Sequence, residues 1–299
     1  MDYLKSLGIV DNKSYKHWIV ENYPDRKPDG TEIFTTVCKL FDEFKEKRSD
    51  YISDKPLFVS FEKNEDPSKY QYPKNLKKLV FYHHCSMEPT KIFSFPDTIT
   101  ELELDIDYDL KFIIFPKSLT KLVLGYHFNN NVIFPETLVV LKFGTNFNQD
   151  VRNTNFPEGL KYLTFGFKFD QDVRDANFNK TLIHLEFGNN FDQDVKNANF
   201  PDSLRYLEFG SKFNQDVKNA NFPQGLTHLT FGDRFNQDVK NANFPEGLTH
   251  LTFGDRFIQD IENANFPSSL IYLSLPYRFY SRNMKNANFP TFTKLSFTD

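Results

Sequence analysis

Apolar positions recur along this chain with a period of 22 residues, and between Phe156 and Phe266 the pattern is nearly invariant. Most copies read F-P-x-x-L-x-x-L-x-F-G-x-x-F-N-Q-D-V-x-N-A-N. Phe156, Phe178, Phe200, Phe222, Phe244 and Phe266 open them, and Phe178 lacks the proline that follows the others. Looser copies open at Phe95, Phe115 and Phe134, Tyr72 is a candidate for an earlier opening, and Phe289 opens a truncated last copy. In the copy from Phe222 to Asn243, alternation over Thr227 to Phe231 predicts a short strand with Leu229 and Phe231 facing inward. Gly232 breaks the strand and permits a turn. Phe235, Val239 and Ala242 return to the interior, and Pro245 opens the next copy where the chain is turning.

A short fixed period predicts a solenoid, in which each unit contacts mainly its neighbours. The expected fold is mainly β: 22-residue repeats forming one long parallel sheet, with a short α-helical cap at the N-terminus. Strand segments should begin near Leu76, Ile99, Leu119, Leu138, Leu160, Leu182, Leu204, Leu226, Leu248, Leu270 and Phe292. At about 4.8 Å per strand such a sheet would run about 50 Å. The unit is too short for a strand plus a long helix, so the return path is expected to be irregular or made of single 3₁₀ turns. The column Asn199, Asn221, Asn243 and Asn265 is expected to point inward and satisfy backbone groups of neighbouring turns. A lone copy should not fold. Five buried Phe or Leu side chains contribute roughly 7–15 kcal/mol, less than the roughly 1–2 kcal/mol per residue needed to order the backbone of 22 residues.

The outward positions of the strands form columns of their own. One reads Val140, Tyr162, His184, Tyr206, His228, His250, Tyr272, and beside it run Lys142, Thr164, Glu186, Glu208, Thr230, Thr252, Ser274. Tyr and His carry flat apolar bodies with polar tips, a composition suited to gripping a protein surface. Tyr162, His184, Tyr206, His228, His250 and Tyr272 are therefore the candidate partner-binding residues. The alternative is an ordinary strand face built from β-favourable residues. His228 and His250 should lie about 5 Å apart on neighbouring strands, but no third ligand stands beside them, and zinc wants three or four. The Asp172, Asp194, Asp216 and Asp238 column has Arg174, Lys196, Lys218 and Lys240 two positions on, which reads as a charge-compensated edge and not as a calcium site. No metal and no cofactor is called for.

The spacing of Leu226, Leu229 and Phe231 is that of a leucine-rich repeat with Phe in the last place. With the recurring Phe-Pro, Leu-x-x-Leu-x-Phe-Gly and the Phe-Asn-Gln strings at 147–149, 213–215 and 235–237, the chain resembles the FNIP repeat family, a divergent relative of leucine-rich repeats, over about residues 72–299. Phe-Pro stands where the family has Ile-Pro. The resemblance implies a protein of social amoebae or of giant viruses that infect amoebae. It also implies that an F-box, the helical module that docks a chain onto a Skp1-cullin ubiquitin ligase, can precede the repeats.

Residues 1–70 lack the repeat. Trp18, Ile19 and Tyr23 suit a short amphipathic helix, and residues 31–48 carry the apolar face of a second. The string Val37-Cys38-Lys39-Leu40-Phe41 resembles the end of an F-box, which makes Trp18, Val37, Cys38, Leu40 and Phe41 the candidate Skp1-docking residues, although the Leu-Pro pair that opens an F-box is missing. The other reading of this segment is a helical cap over the open edge of the first strand, which solenoids need. The expected organisation is thus 1–70, cap or F-box, and 71–299, repeats.

Composition narrows the function classes. There are 35 Phe against one Trp, because three Phe recur in each copy and should stack into three spines. A net charge of −4 leaves no broad basic field for nucleic acid or an anionic membrane. No apolar run approaches membrane-spanning length. The start of the chain does not read as a secretory signal, and Cys38 and Cys85 read as buried thiols of a reducing, cytoplasmic compartment, that of the host cell if the protein is viral. No Gly-x-Ser-x-Gly, phosphate-cradling Gly loop or His-Glu-x-x-His occurs. The sequence therefore points away from an enzyme and toward a protein-interaction module, with substrate recruitment to a ubiquitin ligase as its specific form. The competing class is a structural repeat that self-associates through the strand just before Asp299.

Overall fold

A computed structural model describes residues 56–61, 70–83, 92–106, 109–131 and 133–298, apart from 219, 241, 262–263, 278 and 280–293. The candidate docking residues Trp18, Val37, Cys38, Leu40 and Phe41, the predicted N-terminal helices and Cys85 lie outside the described residues. The chain divides into two compact units, residues 1–137 and 138–299.

In the first unit, β1 (Leu57–Phe61), β2 (Lys78–His83), β4 (Glu101–Ile106) and β6 (Lys121–Leu124) form a parallel sheet in that order. Between them β3 (Phe93–Ser94) and β5 (Ile113–Ile114) pair as a second, two-stranded parallel sheet. A 3₁₀ turn at Leu110–Phe112 precedes β5, capped by the Asp109 side chain, which accepts from the Lys111 N–H. Strand β1 lies upstream of the first strand expected from the repeat pattern, and the small second sheet was not anticipated either. Both use apolar alternation too short to stand out in the sequence. Leu79, Leu102 and Leu122 lie in register and buried, as do Phe81, Leu104 and Leu124. The Tyr72 ring sits 5.9 Å from that of Phe95, so it does occupy the place of a copy-opening aromatic.

In the second unit the period is strict. Strands β7 (Val140–Lys142), β8 (Tyr162–Thr164), β9 (His184–Glu186), β10 (Tyr206–Glu208), β11 (His228–Thr230), β12 (His250–Thr252), β13 (Tyr272–Pro276) and β14 (Lys294–Thr298) are parallel and in order. Every residue of β7 to β12 faces the residue one repeat away, so identical positions stack into columns. The leucine at the second position of each strand from Leu141 to Leu273 is buried.

Three hydrogen-bonded turns carry each copy from strand to strand without a helix. In one copy the N–H of Leu226 donates to the Pro223 carbonyl, that of Phe235 to Gly232, and that of Ala242 to Val239, at 2.9, 3.1 and 3.1 Å. The same turns recur in the other close copies, and their inward residues form the Phe spines. Phe165, Phe187, Phe209, Phe231 and Phe253 lie 5.5–5.7 Å apart in succession, and each packs nearly parallel on the Phe four positions on, at 3.9–4.1 Å. The glycine after the strand has a reason the sequence did not show. A Cβ on Gly232 would stand 2.1 Å from the Gly210 carbonyl oxygen, and the same clash recurs at Gly166, Gly188, Gly210 and Gly254. It is the close approach of the preceding copy's backbone that requires a residue without a side chain.

The inward asparagine ladder is real but sits in another column. Asn199, Asn221, Asn243 and Asn265 are exposed, because the preceding Val-x-x-Ala turn already pairs its own backbone. The position after the second Phe does the work instead. The side-chain Oδ1 of Asn148 accepts from the Asp170 N–H at 2.8 Å and from Gln171 Nε2 at 3.0 Å. Asp170, Asp192, Asn214 and Asn236 repeat this toward the next copy, ending at the Ile258 N–H and Gln259.

Candidate functional site

On the second unit, alternation along the strands turns the flanking residues of each buried Leu to the open face of the sheet. Strict register then stacks the Tyr/His column. Ring centroids run 6.2 Å from Tyr162 to His184, 5.8 Å to Tyr206, 4.4 Å to His228, 4.2 Å to His250 and 5.7 Å to Tyr272. The six candidate residues are thus brought together as one ladder. Tyr162 and Tyr206 are 44% and 41% exposed and the other four are half-buried. The column continues past Tyr272 to Lys294.

Hydrogen bonding fixes the tautomer of the two adjacent histidines. The Thr227 hydroxyl lies 3.0 Å from the Arg205 carbonyl oxygen and 2.9 Å from His228 Nδ1. A carbonyl only accepts, so the hydroxyl proton goes to it, and Nδ1 must donate its N–H to the hydroxyl oxygen. Thr249 repeats the arrangement between the Thr227 carbonyl and His250 Nδ1. Both neutral rings therefore keep Nε2 as a bare acceptor. Burial, and then the neighbouring His250, hold His228 below the ordinary histidine value. Burial also lowers His184, against the opposing pull of Glu186.

The second outward column places Glu186 beside Glu208. The Thr164 hydroxyl donates to Glu186 at 3.2 Å. Burial, with the Glu186 charge as a smaller cause, raises the Glu208 carboxyl above its ordinary range. Neither carboxylate has an ion-pair partner among the described residues. By contrast, the Asp edge is compensated. Asp150 and Asp172 hold Arg152 and Arg174 at 2.6 and 2.7 Å, and Lys196, Lys218 and Lys240 reach the Asp of the next copy. Among the described residues no three His, Cys, Asp or Glu side chains gather as a metal site, and no helix is long and apolar enough to cross a membrane.

A family model described as FNIP Repeat matches residues 128–168, 169–212, 213–245 and 235–278, half of the chain and all of the nearly invariant stretch from Phe156 to Phe266. The chain belongs to the FNIP repeat family. Among solved structures, this FNIP repeat protein is similar to CroV588, described as a novel circular leucine-rich-repeat protein. The two share 32% identity at a TM-score of 0.64, over 76% of this chain and 34% of CroV588. The chain thus spans about a third of that protein's length. It also matches the pneumococcal vaccine antigen PcpA at 11% identity, with a TM-score of 0.25 over 82% of this chain and 89% of that one, a likeness too loose to carry an argument. No curated protein matches it.

Sequence reasoning missed the unpaired carboxylates and the true ladder. A signal for the ladder was present. Positions 148, 170, 192, 214 and 236 alternate between Asn and Asp and nothing else. That exchange preserves one carbonyl-type oxygen at a fixed reach and discards the amide nitrogen, so it marks an acceptor.

Proposed function

We propose that this FNIP repeat protein is a protein-interaction module whose docking face is the ring ladder from Tyr162 to Tyr272. The observation that supports it is the ladder itself: six flat side chains held in contact by strand register, with two tyrosines nearly half exposed. Rings that are already stacked lose little freedom when a partner covers them, which lowers the entropic cost of binding. The test is the triple change Tyr206→Ser, His228→Ser and His250→Ser in the full chain. The expected outcome is a thermal midpoint near that of the parent protein and a loss of the proteins it captures from a lysate. Capture that survives the triple change would remove the ladder as the docking face.

The specific form of this reading is a substrate-recruiting adaptor of a Skp1-cullin-F-box ligase, favoured by the string Val37-Cys38-Lys39-Leu40-Phe41 within a residue 1–70 docking segment. The full chain should then bind Skp1, and Phe41→Ala should weaken it. Absence of binding at micromolar concentration would leave the repeat module without a ligase role. Self-association is the competing reading. Among the described residues β14 pairs only with β13, and a concentration-dependent mass in light scattering would favour association through that edge.

A further inference from the structure

The two outward columns of β8 to β13 hold Tyr162, Thr164, His184, Glu186, Tyr206, Glu208, His228, Thr230, His250, Thr252 and Tyr272, whereas Ser274, expected at the end of the second column, is buried. At neutral pH this face carries two negative charges and no positive one. Lys142 on β7 and Lys294 on β14 stand only at its two ends. The nearby Arg205 turns its Nη1 to the Asp202 and Leu204 carbonyls at 2.8 and 3.0 Å. The two carboxylates and the bare Nε2 atoms of His228 and His250 all accept, and what complements them is a donor.

We propose that the face around Tyr206 binds an arginine-bearing extended segment of a protein partner, the guanidinium lying beside the exposed edge of Tyr206 and donating to Glu186 and Glu208. This rests on the ring ladder being the docking face. Two features select arginine. A guanidinium is planar and presents a rigid fork of donors, whereas an ammonium is a compact, strongly hydrated point charge. The two carboxylates face each other across adjacent strands, about 4.8 Å apart along the sheet, so one fork can serve both and relieve their mutual repulsion. The partner's backbone or a second arginine can donate to the bare Nε2 atoms.

The titratable side chains on this face are Tyr162 on β8, His184 and Glu186 on β9, Tyr206 and Glu208 on β10, His228 on β11, His250 on β12 and Tyr272 on β13. Acidification charges His184 and His228 and neutralises Glu208 early, and both changes oppose a cationic ligand. Binding should therefore weaken as pH falls through the lowered values of these histidines.

The test uses the full chain and a fluorescein-labelled peptide of alternating arginine and serine, beside the same peptide with citrulline, which keeps the shape and loses the charge. Fluorescence polarisation at neutral pH should show the arginine peptide binding about tenfold more tightly. The double change Glu186→Gln and Glu208→Gln should bring the arginine peptide to the citrulline level. Glu158→Gln with Glu246→Gln, an equal charge change at exposed turns away from the face, should leave binding unchanged. Equal binding of the two peptides, or equal loss in both double variants, would overturn the proposal. If the Tyr206, His228 and His250 triple change abolishes lysate capture while the Glu186 and Glu208 variant keeps full arginine binding, the docking face stands and the cationic partner falls. If the triple change leaves capture intact, both fall.

Discussion

Phe231 and Thr230 are neighbours in sequence with opposite fates. Phe231 is 1% exposed and contacts four other phenylalanine rings, whereas Thr230 ends its strand on the open face. Phe231→Ala is expected to cost about 3–5 kcal/mol, as large core truncations do. Thr230→Ala should cost under about 0.5 kcal/mol. Chemical denaturation of the two variants checks this, and equal losses would contradict the observed strand phase. The glycine column belongs to the same scale. Sequence alone marked Gly232 as a turn residue, while the carbonyl of Gly210 beside it is what forbids a side chain. That reason is invisible within one copy, because the obstructing atom belongs to the copy before it.

At the scale of one repeat, the interest lies in the side-chain ladder that ties turn to turn. Asn214 accepts from the Asn236 N–H at 2.8 Å and from Gln237 at 3.1 Å. Asn214→Leu removes the acceptor and leaves the Asn236 N–H unpaired in a half-buried turn, while Gln237 Nε2 keeps its bond to the Asn214 backbone carbonyl at 2.8 Å. A loss of about 1–3 kcal/mol is expected for that orphaned group. Asn214→Asp should be nearly neutral, because Asp192 makes the same contacts one copy earlier. Urea denaturation midpoints of the two variants distinguish an acceptor ladder from simple packing, which would penalise both. The ladder ends at Ile258, which has no side-chain oxygen to offer the following copy. The element was half legible: a polar ladder was foreseen on grounds of backbone satisfaction, but the column was misassigned. Asn at the turn before each Phe and Asn after the second Phe look alike in sequence. What separates them is which turn pairs its own backbone, and that is settled only by the chain path.

For the molecule as a whole, stability should follow the titration of the ladder. His184 and His228 have folded-state values below the ordinary 6.5, so the unfolded chain binds more protons in that window. Their contribution is full above 6.5 and is lost as pH falls through their lowered values. Thermal midpoints are expected to drop on acidification below neutrality, and His228→Gln should flatten that drop. Glu208 has the opposite sign: its raised value favours the folded state at low pH, a gain lost as pH rises past it. Asp172, pulled down to about 2 chiefly by its bond to Arg174, adds a second loss between the ordinary 3.8 and that value. A midpoint independent of pH from neutrality to about 5 would contradict the histidine assignment. The repeat length, the parallel strands, the inward Phe and Leu and the membership of the ring column were all decided by the sequence, because a strict period places identical residues in identical positions and the alternation of a strand fixes which face they take. The tertiary structure alone decided the column that carries the acceptor ladder, the closeness that demands glycine, the histidine tautomers and the meeting of Glu186 with Glu208. Each of these is a relation between atoms of adjacent copies, 22 residues apart in the chain and a few ångströms apart in space.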